Sequence, residues 1–180
     1  VCFIGAQVEW YEEGEGGWTF ETGNILPSNY NEFPNNAAYT IAISSDGDYI
    51  GEEGDYLGAF IDGEFRGIAT PTPPPFGPFA GVGIFPVVVY GHSSDENASI
   101  TFRFKSQSSD SDQAVIGEQT FISDFTNGGD LFNPIILEIG AGVFQPQDLT
   151  ELQTAVNLWV DDNATALSTY GQINTWDTSL

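Results

Sequence analysis

The sequence predicts an all-β protein: an antiparallel β-sandwich, immunoglobulin-like or jelly-roll-like, with a short helical C-terminal extension. Apolar residues between about positions 7 and 139 recur at every second position or form short runs between turn residues, as in half-buried strands. Helical periodicity is almost absent before residue 148, which argues against parallel βαβ units. We therefore expect a sandwich domain at residues 1–147 and a helical and extended tail at residues 148–180 that connects subunits.

The strands are predicted from short apolar or alternating segments, each bounded by Gly, Pro, Asn, Asp or Ser. In chain order the predicted strands are Ala6–Tyr11, Gly17–Glu21, Ala38–Ser44, Tyr56–Ile61, Glu64–Ala69, Gly83–Gly91, Ala98–Ser106, Glu118–Ile122 and Pro134–Ile139. Many short strands with turn residues between them are typical of a sandwich.

The dipeptide Asp62-Gly63 is the strongest local signal, because both residue types tolerate the positive φ angles of a two-residue type I′ hairpin. The resulting register pairs Phe60 with Phe65 and Ala59 with Arg66. We expect both phenylalanine rings to point into the core from one face of the sheet. On the other face, we expect Arg66 to form an ion pair with a nearby carboxylate.

After residue 147 the apolar spacing changes to three and four residues, which predicts an amphipathic helix. Asp148 is a typical N-cap, and the helix is expected to continue to about Val160. A second short helix is predicted at Asn163–Thr169, ended by Gly171.

The charge balance excludes whole classes of partner. Three basic residues, Arg66, Arg103 and Lys105, face 26 carboxylates, so the formal net charge is −23. Such a charge repels nucleic acid and anionic lipid and attracts divalent cations. The chain has no run of about 18 apolar residues, so we expect no membrane span. Expected partners are cations, glycans and other proteins.

The residues that usually carry catalysis are scarce. His92 is the one histidine and Cys2 the one cysteine of the chain, so neither a histidine-based nucleophile nor a zinc site is expected. Carboxylates are numerous, but their order singles out no facing pair of the kind that glycosidases use. The sequence therefore predicts a protein that binds and does not catalyse.

Hard oxygen ligands are concentrated in one short segment between residues 46 and 55. Glycines separate its carboxylates, so a bent loop can direct several oxygens at one ion. The candidate Ca²⁺ ligands are Asp46, Asp48, Glu52, Glu53 and Asp55. The spacing is not that of an EF-hand, and a solvated acidic loop is the equal alternative.

The chain contains no Met and opens at Val1, which predicts a processed and exported product. Two sequons, at Asn97 and Asn163, lie in polar stretches. We expect covalent glycans at both asparagines and an extracellular or cell-surface location.

Two segments resemble known families. Tyr56–Ala69 (YLGAFIDGEFRGIA), followed by Ile100–Phe104 (ITFRF), resembles β-sandwich modules of large secreted surface proteins of marine bacteria. The tail Leu152–Leu180 looks like the start of the BspA-like leucine-rich surface repeats, although the array stops where further repeats would follow. Together these resemblances imply a surface or matrix protein.

Both ends of the chain are apolar in a way that favours contact with other copies. The candidate intersubunit residues are Val1, Cys2, Phe3, Ile4, Ile173, Trp176 and Leu180. We expect a structural protein that forms a fibre or surface layer as a homopolymer, head to tail, through strand addition or tail docking. A calcium-dependent carbohydrate-binding or adhesion module of a larger secreted protein is the alternative.

Overall fold

The computed structural model describes residues 9–45, 47–139, 144, 146, 148–171, 173, 176 and 178. Its strands are β1 Trp18–Glu21, β2 Asn24–Pro27, β3 Asn35–Ser45, β4 Asp48–Ile50, β5 Tyr56–Ile61, β6 Glu64–Ala69, β7 Ile84–Gly91, β8 Ser99–Ser106, β9 Ser111–Thr120, β10 Phe125–Gly128 and β11 Ile135–Ile139. Its helices are α1 Leu149–Asp161 and α2 Asn163–Tyr170. Among the described residues, neither helix combines the length and the hydropathy needed to cross a membrane.

Seven strands close into a barrel in the order β3-β11-β9-β8-β5-β6-β7, and β7 returns to pair with β3. The long strand β3 makes the closure possible, because β7 pairs along one of its edges while β10 and β11 pair along the other. The β3–β10 and β3–β11 pairs are parallel, and β4 extends the β7 edge of β3 as an antiparallel partner. The β1–β2 hairpin is a separate two-stranded sheet.

The sandwich prediction is therefore wrong, although the chain is β-rich as expected. A sandwich needs two sheets that face each other, whereas here one sheet curves until its first and last strands meet. Alternation of apolar and polar residues does not distinguish the two, because both architectures bury one face of every strand.

The barrel interior is filled by side chains at alternate positions. The central strands contribute inward residues that are almost fully buried: Ala37, Tyr39, Ile41 and Ile43 of β3, Leu57, Ala59 and Ile61 of β5, Phe85, Val87 and Val89 of β7, and Ile100, Phe102 and Phe104 of β8. Burial of a side chain of this size contributes about 1.5–3 kcal/mol, so this column of residues is the main source of stability.

The β5–β6 hairpin has the predicted type I′ turn, with φ of 51° at Asp62 and 79° at Gly63. Phe60 pairs with Phe65 as expected, but Ala59 pairs with Gly67 because a bulge interrupts the ladder. The predicted pairing of Ala59 with Arg66 is therefore wrong, since local turn chemistry does not reveal a bulge farther along the strand.

The expectation that Phe60 and Phe65 enter the core is also wrong. The inward positions of β5 flank Phe60, so both rings lie on the outer face, where Trp10 packs 5.8 Å and 6.0 Å from them between ring centroids. A Cβ at Gly58 would approach the Trp10 ring to 2.7 Å, so this position must be glycine for the indole to lie flat. Trp10 thereby attaches the turn at residues 9–12 to the outside of the barrel.

The two ends of the barrel differ. At one end, which we call the sealed end, Phe121 is fully buried and caps the core beside Gly91. At the other, which we call the open end, the loop between β4 and β5 and the turn between β8 and β9 surround a cavity.

Helices α1 and α2 lie at the predicted positions. Asp148 caps α1 by accepting hydrogen bonds from two backbone N–H groups, and Gly171 ends α2 with φ of 71°. Ala155 and Ala166 are fully buried, and the ring of Trp176 packs among those of Phe144, Trp159 and Tyr170.

The strand predictions were weakest in polar segments. Ala6–Val8 lie outside the described residues, and Glu9–Tyr11 form a turn and not the predicted strand end. The sequence also gave no sign of β2, β4 or β10, and of β9 only its last residues. These strands are short or rich in Ser, Asp and Gln, so their pairing comes from tertiary context and not from local propensity.

Candidate functional site

Arg66 is enclosed in a network at the sealed end. It is 6% exposed, and its guanidinium donates from Nη2 to Glu64 Oε2 at 2.8 Å and from Nη1 to Asp95 Oδ2 at 2.9 Å. The guanidinium carbon also lies 4.3 Å from the centroid of the Phe33 ring. The predicted ion pair of Arg66 is confirmed.

Asp95 holds this network together. Burial alone would raise the pKa of its carboxyl, but the hydrogen bonds from His92 N and Arg66, with the positive charge of Arg66, outweigh burial. The pKa of Asp95 therefore lies below its ordinary value, and the carboxylate stays ionised in the folded protein.

The other two cations are paired on β8. Arg103 donates from Nε and Nη2 to the two carboxylate oxygens of Asp112, at 3.0 Å and 2.7 Å, and Trp10 Nε1 donates to the same carboxylate at 3.1 Å. Lys105 Nζ pairs with the carboxylate and carbonyl of Asp110. All three Lys and Arg side chains of the chain are thus paired internally, so an approaching ligand meets a surface dominated by carboxylates.

A surface groove of about 870 Å³ lies between the segment before β1, the turn after β2 and the tip of the β5–β6 hairpin. We call it the glutamate groove. Its walls carry five glutamates and three aromatic residues: Glu13, Glu15, Glu21, Glu32, Glu64, Trp18, Phe33 and Phe65. Carboxylates beside aromatic faces suit cations, or sugars whose C–H faces stack on rings.

Local hydrogen bonds fix the walls of the glutamate groove. Trp18 Nε1 donates to Tyr11 O at 2.9 Å, and Tyr30 Oη donates to Glu21 Oε2 at 2.6 Å. The hydrogen bond to Glu21 raises the pKa of Tyr30. Glu13 and Glu15 are neighbours in the sequence, whereas Glu32 joins the groove only through the fold, so local sequence carries no signal for it.

Trp10, Trp18 and Tyr49 do not form one exposed aromatic face. Trp10 is 6% exposed beneath the N-terminal turn, whereas Tyr49 is 41% exposed and packs on Phe79 at 5.1 Å. Trp18 lines the glutamate groove, whereas Tyr49 lines the cavity at the open end. The aromatic residues are thus dispersed over several surfaces.

The segment predicted to bind calcium lies at the open end. Three of the predicted ligands are exposed: Asp48, Glu52 and Glu53. Asp55 is 4% exposed, and its two oxygens accept hydrogen bonds from Glu52 N at 2.8 Å and Gln107 N at 2.9 Å. Asp46 lies outside the described residues, among which no group of three His, Cys, Asp or Glu is arranged to hold a metal ion. Asp55 therefore holds the loop in place, and calcium binding by this segment stays a prediction.

Both predicted glycan anchors are accessible. Asn97 is exposed in the loop between β7 and β8, with φ of 68°, a conformation that Asn tolerates. Asn163 is exposed at the first residue of α2. Their glycosylation stays a prediction.

The predicted intersubunit residues are only partly described. Five of them lie outside the described residues: Val1, Cys2, Phe3, Ile4 and Leu180. Ile173 is 41% exposed and accessible to a partner. Trp176 is 9% exposed and packs 5.0 Å from the Phe144 ring, so it belongs to the aromatic cluster of its own chain.

Helix α1 carries an apolar stripe that the described part of the chain leaves partly uncovered. Leu149 is 71% exposed and Val160 is 77% exposed, while Leu152 and Val156 between them are half-buried. Eleven residues are about three helical turns, so Leu149 and Val160 share one face, roughly 16 Å apart. We call these four residues the α1 stripe.

No known protein family, curated protein or solved structure significantly matches the chain. The two resemblances to surface proteins therefore stay predictions, as does the division of the chain at residue 147. The features that bear on function are the internally paired cations, the glutamate groove and the α1 stripe.

Proposed function

We propose that this protein is a non-enzymatic, exported and glycosylated structural protein whose copies assemble head to tail into an extracellular fibre or surface layer. The α1 stripe carries the proposal, since Leu149 and Val160 are 71% and 77% exposed. A helix at the surface of a soluble protein usually turns its apolar face inward. A stripe exposed on a strongly charged protein indicates contact with another molecule.

The partner that fits this stripe is the N-terminal segment Val1–Ile4 of a neighbouring copy. This segment is apolar and adds no side-chain charge to a contact between two copies of net charge −23. Ion pairs between copies are disfavoured, because Arg66, Arg103 and Lys105 are each already paired within their own chain. Docking of one copy's N-terminal segment on the next copy's helix is a heterologous contact, which continues into an open filament.

The closed barrel favours such docking over strand addition. Around the ring each strand pairs on both sides, so an incoming strand finds few free main-chain donors and acceptors among the described strands. Some neighbouring strands pair over a short length. For example, β9 and β11 pair through Val115 with Ile139 and Ile116 with Glu138.

Assembly of such acidic copies requires charge screening. The Debye length falls from about 10 Å at 0.1 M salt to about 3 Å at 1 M, so at high salt the repulsion between copies acts only over the distance of direct contact. Divalent cations bound to surface carboxylates act in the same direction. We therefore expect polymers in high salt or in Ca²⁺ and monomers in dilute buffer.

The test uses two variants with complementary defects. One lacks Val1–Ile4, and the other carries Leu149→Ser and Val160→Ser. In 1 M NaCl, light scattering and electron microscopy should show filaments for the unchanged chain and monomers for either variant alone. A mixture of the two should give dimers and no filaments. The intact Val1–Ile4 of the stripe variant can dock on the intact α1 stripe of the truncated variant, and the resulting dimer has no second docking pair.

Asn157→Ser is the matched control, because it changes an exposed residue of α1 outside the stripe. It should polymerise like the unchanged chain. Filaments formed by either defective variant, or monomers of the unchanged chain under all salt conditions, contradict the proposal.

The glycan part has its own test. Protein secreted by its native host should lose mass when N-glycans are released, and Asn97→Gln and Asn163→Gln should each remove part of that loss. An unchanged mass rejects glycosylation without affecting the assembly proposal.

The glutamate groove favours a second candidate, a calcium-dependent carbohydrate-binding or adhesion module. Five glutamates and three aromatic rings give both cation ligands and stacking faces. Binding of glycans that needs Ca²⁺ and is lost in Trp18→Ala and Glu32→Gln variants supports it; binding unaffected by both substitutions contradicts it.

A further inference from the structure

A second cavity, which we call the mouth pocket, opens at the open end of the barrel. Its volume is about 440 Å³, within the range of about 300–1,000 Å³ that small-molecule sites occupy. It is formed where β3, β8 and β11 end, where β9 begins, and where the loops after β4 and before β7 meet. The mouths of β-barrels are frequent ligand sites because the strand ends converge there.

Neutral polar groups line much of the mouth pocket. Four serines and one glutamine contribute them: Ser45, Ser106, Ser108, Ser109 and Gln113. Apolar side chains also line it, with Phe104 and Ile139 from the barrel and Ile50 and Tyr49 from β4, and Phe104 pairs directly with Gln113 across β8 and β9. The pocket thus combines hydrogen-bonding groups with neighbouring apolar surface.

The serines are linked to one another. Ser106, which is 8% exposed, lies with its Oγ 3.2 Å from Ser108 Oγ, and Ser109 Oγ lies 2.7 Å from Ser111 Oγ. Ser111 in turn donates to Gln113 Oε1 at 3.4 Å. A hydroxyl in such a chain can serve as donor or acceptor by rotating its hydrogen, which is the property that a ligand hydroxyl requires of its partner.

Charge at the mouth pocket argues against ions. None of its lining residues is basic, and the net charge of −23 repels anions. Of the two carboxylates among its described lining residues, Asp55 already accepts two backbone hydrogen bonds, which leaves Glu52 as the described carboxylate that a ligand meets. One carboxylate with several hydroxyls hydrogen-bonds a neutral polar molecule better than it encloses a divalent cation, which takes six to eight oxygen ligands in the case of Ca²⁺.

We propose that the mouth pocket binds a neutral polyhydroxylated ligand, a sugar of one or two rings, without calcium. Ser106, Ser108 and Gln113 would bind its hydroxyls, Glu52 would accept from one of them, and the Tyr49 ring would cover a C–H face. This site goes beyond the structural role proposed above, because it involves neither Val1–Ile4 nor the α1 stripe. It is also separate from the glutamate groove: the pocket lies at the open end, and the tip of the β5–β6 hairpin lies at the sealed end.

The experiment is an NMR titration of the full ¹⁵N-labelled chain at low salt with EDTA. The probes are glucose, galactose, mannose, N-acetylglucosamine, cellobiose and lactose, with glucuronate as an anionic comparison. At least one neutral sugar should shift the amide signals of Ser106, Ser108 and Gln113, and glucuronate should bind more weakly. Ser108→Ala and Gln113→Leu should each weaken binding about tenfold, the effect of one lost hydrogen bond.

Gln119→Leu is the matched control, because it makes the same change on the same strand outside the pocket. It should leave the affinity unchanged. No shift with any neutral sugar, shifts that require Ca²⁺, equal binding of glucuronate, or equal weakening by Gln119→Leu would each overturn the proposal. None of these outcomes decides whether the protein polymerises, because assembly is read from different variants in high salt.

Discussion

The sealed end and the open end of the barrel each contain an aspartate that fixes a loop, half-buried Asp95 and buried Asp55, but the two carboxylates have different partners. Asp95 at the sealed end accepts hydrogen bonds from the His92 backbone N–H and the Arg66 guanidinium. Asp55 at the open end accepts from two backbone N–H groups, without a cation. The first is part of an ion-pair network that joins three segments, whereas the second only fixes the loop that surrounds a cavity.

The hydrophobic core ends differently as well. Phe121 is fully buried at the sealed end, and its ring fills the space that a Cβ at Gly91 would need. At the open end, Phe104 and Ile139 line the mouth pocket together with four serines. The difference indicates that one end contributes stability while the other leaves polar groups available, a division that lets a binding site vary without unfolding the barrel.

The largest contrast is expected from truncation of an aromatic ring at each end. Phe121→Ala should lower the free energy of unfolding by about 3–5 kcal/mol, the usual cost of emptying a buried phenylalanine site. Tyr49→Ala should cost less than about 1 kcal/mol, because the ring is 41% exposed and packs mainly on Phe79. Urea denaturation followed by tryptophan fluorescence measures both, and equal losses would refute the assignment of stability to the sealed end.

A smaller loss of stability is expected when the charge of Asp95 is removed and the shape of its side chain is kept. Asp95→Asn should lower the free energy of unfolding by about 1.5–3 kcal/mol, the value of a hydrogen bond to a charged partner, because the buried Arg66 loses a counter-ion. Asp62→Asn is the matched control, since it makes the same change in an exposed hairpin turn where Asn is equally suited to positive φ. If both variants unfold at the same urea concentration, the network does not stabilise the sealed end.

The same variant should change the dependence of stability on pH. The pKa of Asp95 in the folded protein lies below its ordinary value of 3.8, so its stabilisation is complete above that value and is lost as the pH falls through the folded pKa. Below about pH 4, the unchanged chain should lose stability more steeply than Asp95→Asn, and the two curves should converge. Parallel curves from pH 7 to pH 2 would show that Asp95 does not contribute in this way.

Local features of the fold could be predicted from the sequence because their causes are local. The turn at Asp62-Gly63 needs two residues that tolerate positive φ, and the cap at Asp148 needs one side-chain acceptor near the first turn of α1. Barrel closure has no local cause. It depends on β3 pairing with β7 on one edge and with β11 on the other, and alternating apolar residues are compatible with many such arrangements.

The candidate sites follow the same distinction. The ion pair of Arg66 could be expected in a chain so rich in carboxylates, but the choice of Asp95 depends on the packing of two distant segments. The mouth pocket gave no signal, because Ser106, Ser108 and Ser109 have the composition of a solvated turn. Only the end of the barrel places them beside Phe104 and Ile139.

The smallest effect on stability is expected at the open end, where a substitution should change the affinity for sugar without changing the free energy of unfolding. Ser108→Ala removes a hydroxyl from an exposed residue that contacts Ser106 at 3.2 Å. The change in the free energy of unfolding should stay within about 0.5 kcal/mol, as for most surface substitutions. The same variant should weaken sugar binding about tenfold, because the lost hydroxyl faces the ligand and not the core. A Ser108→Ala protein that unfolds much more easily than the unchanged chain would mean that the open end, like the sealed end, is built for stability.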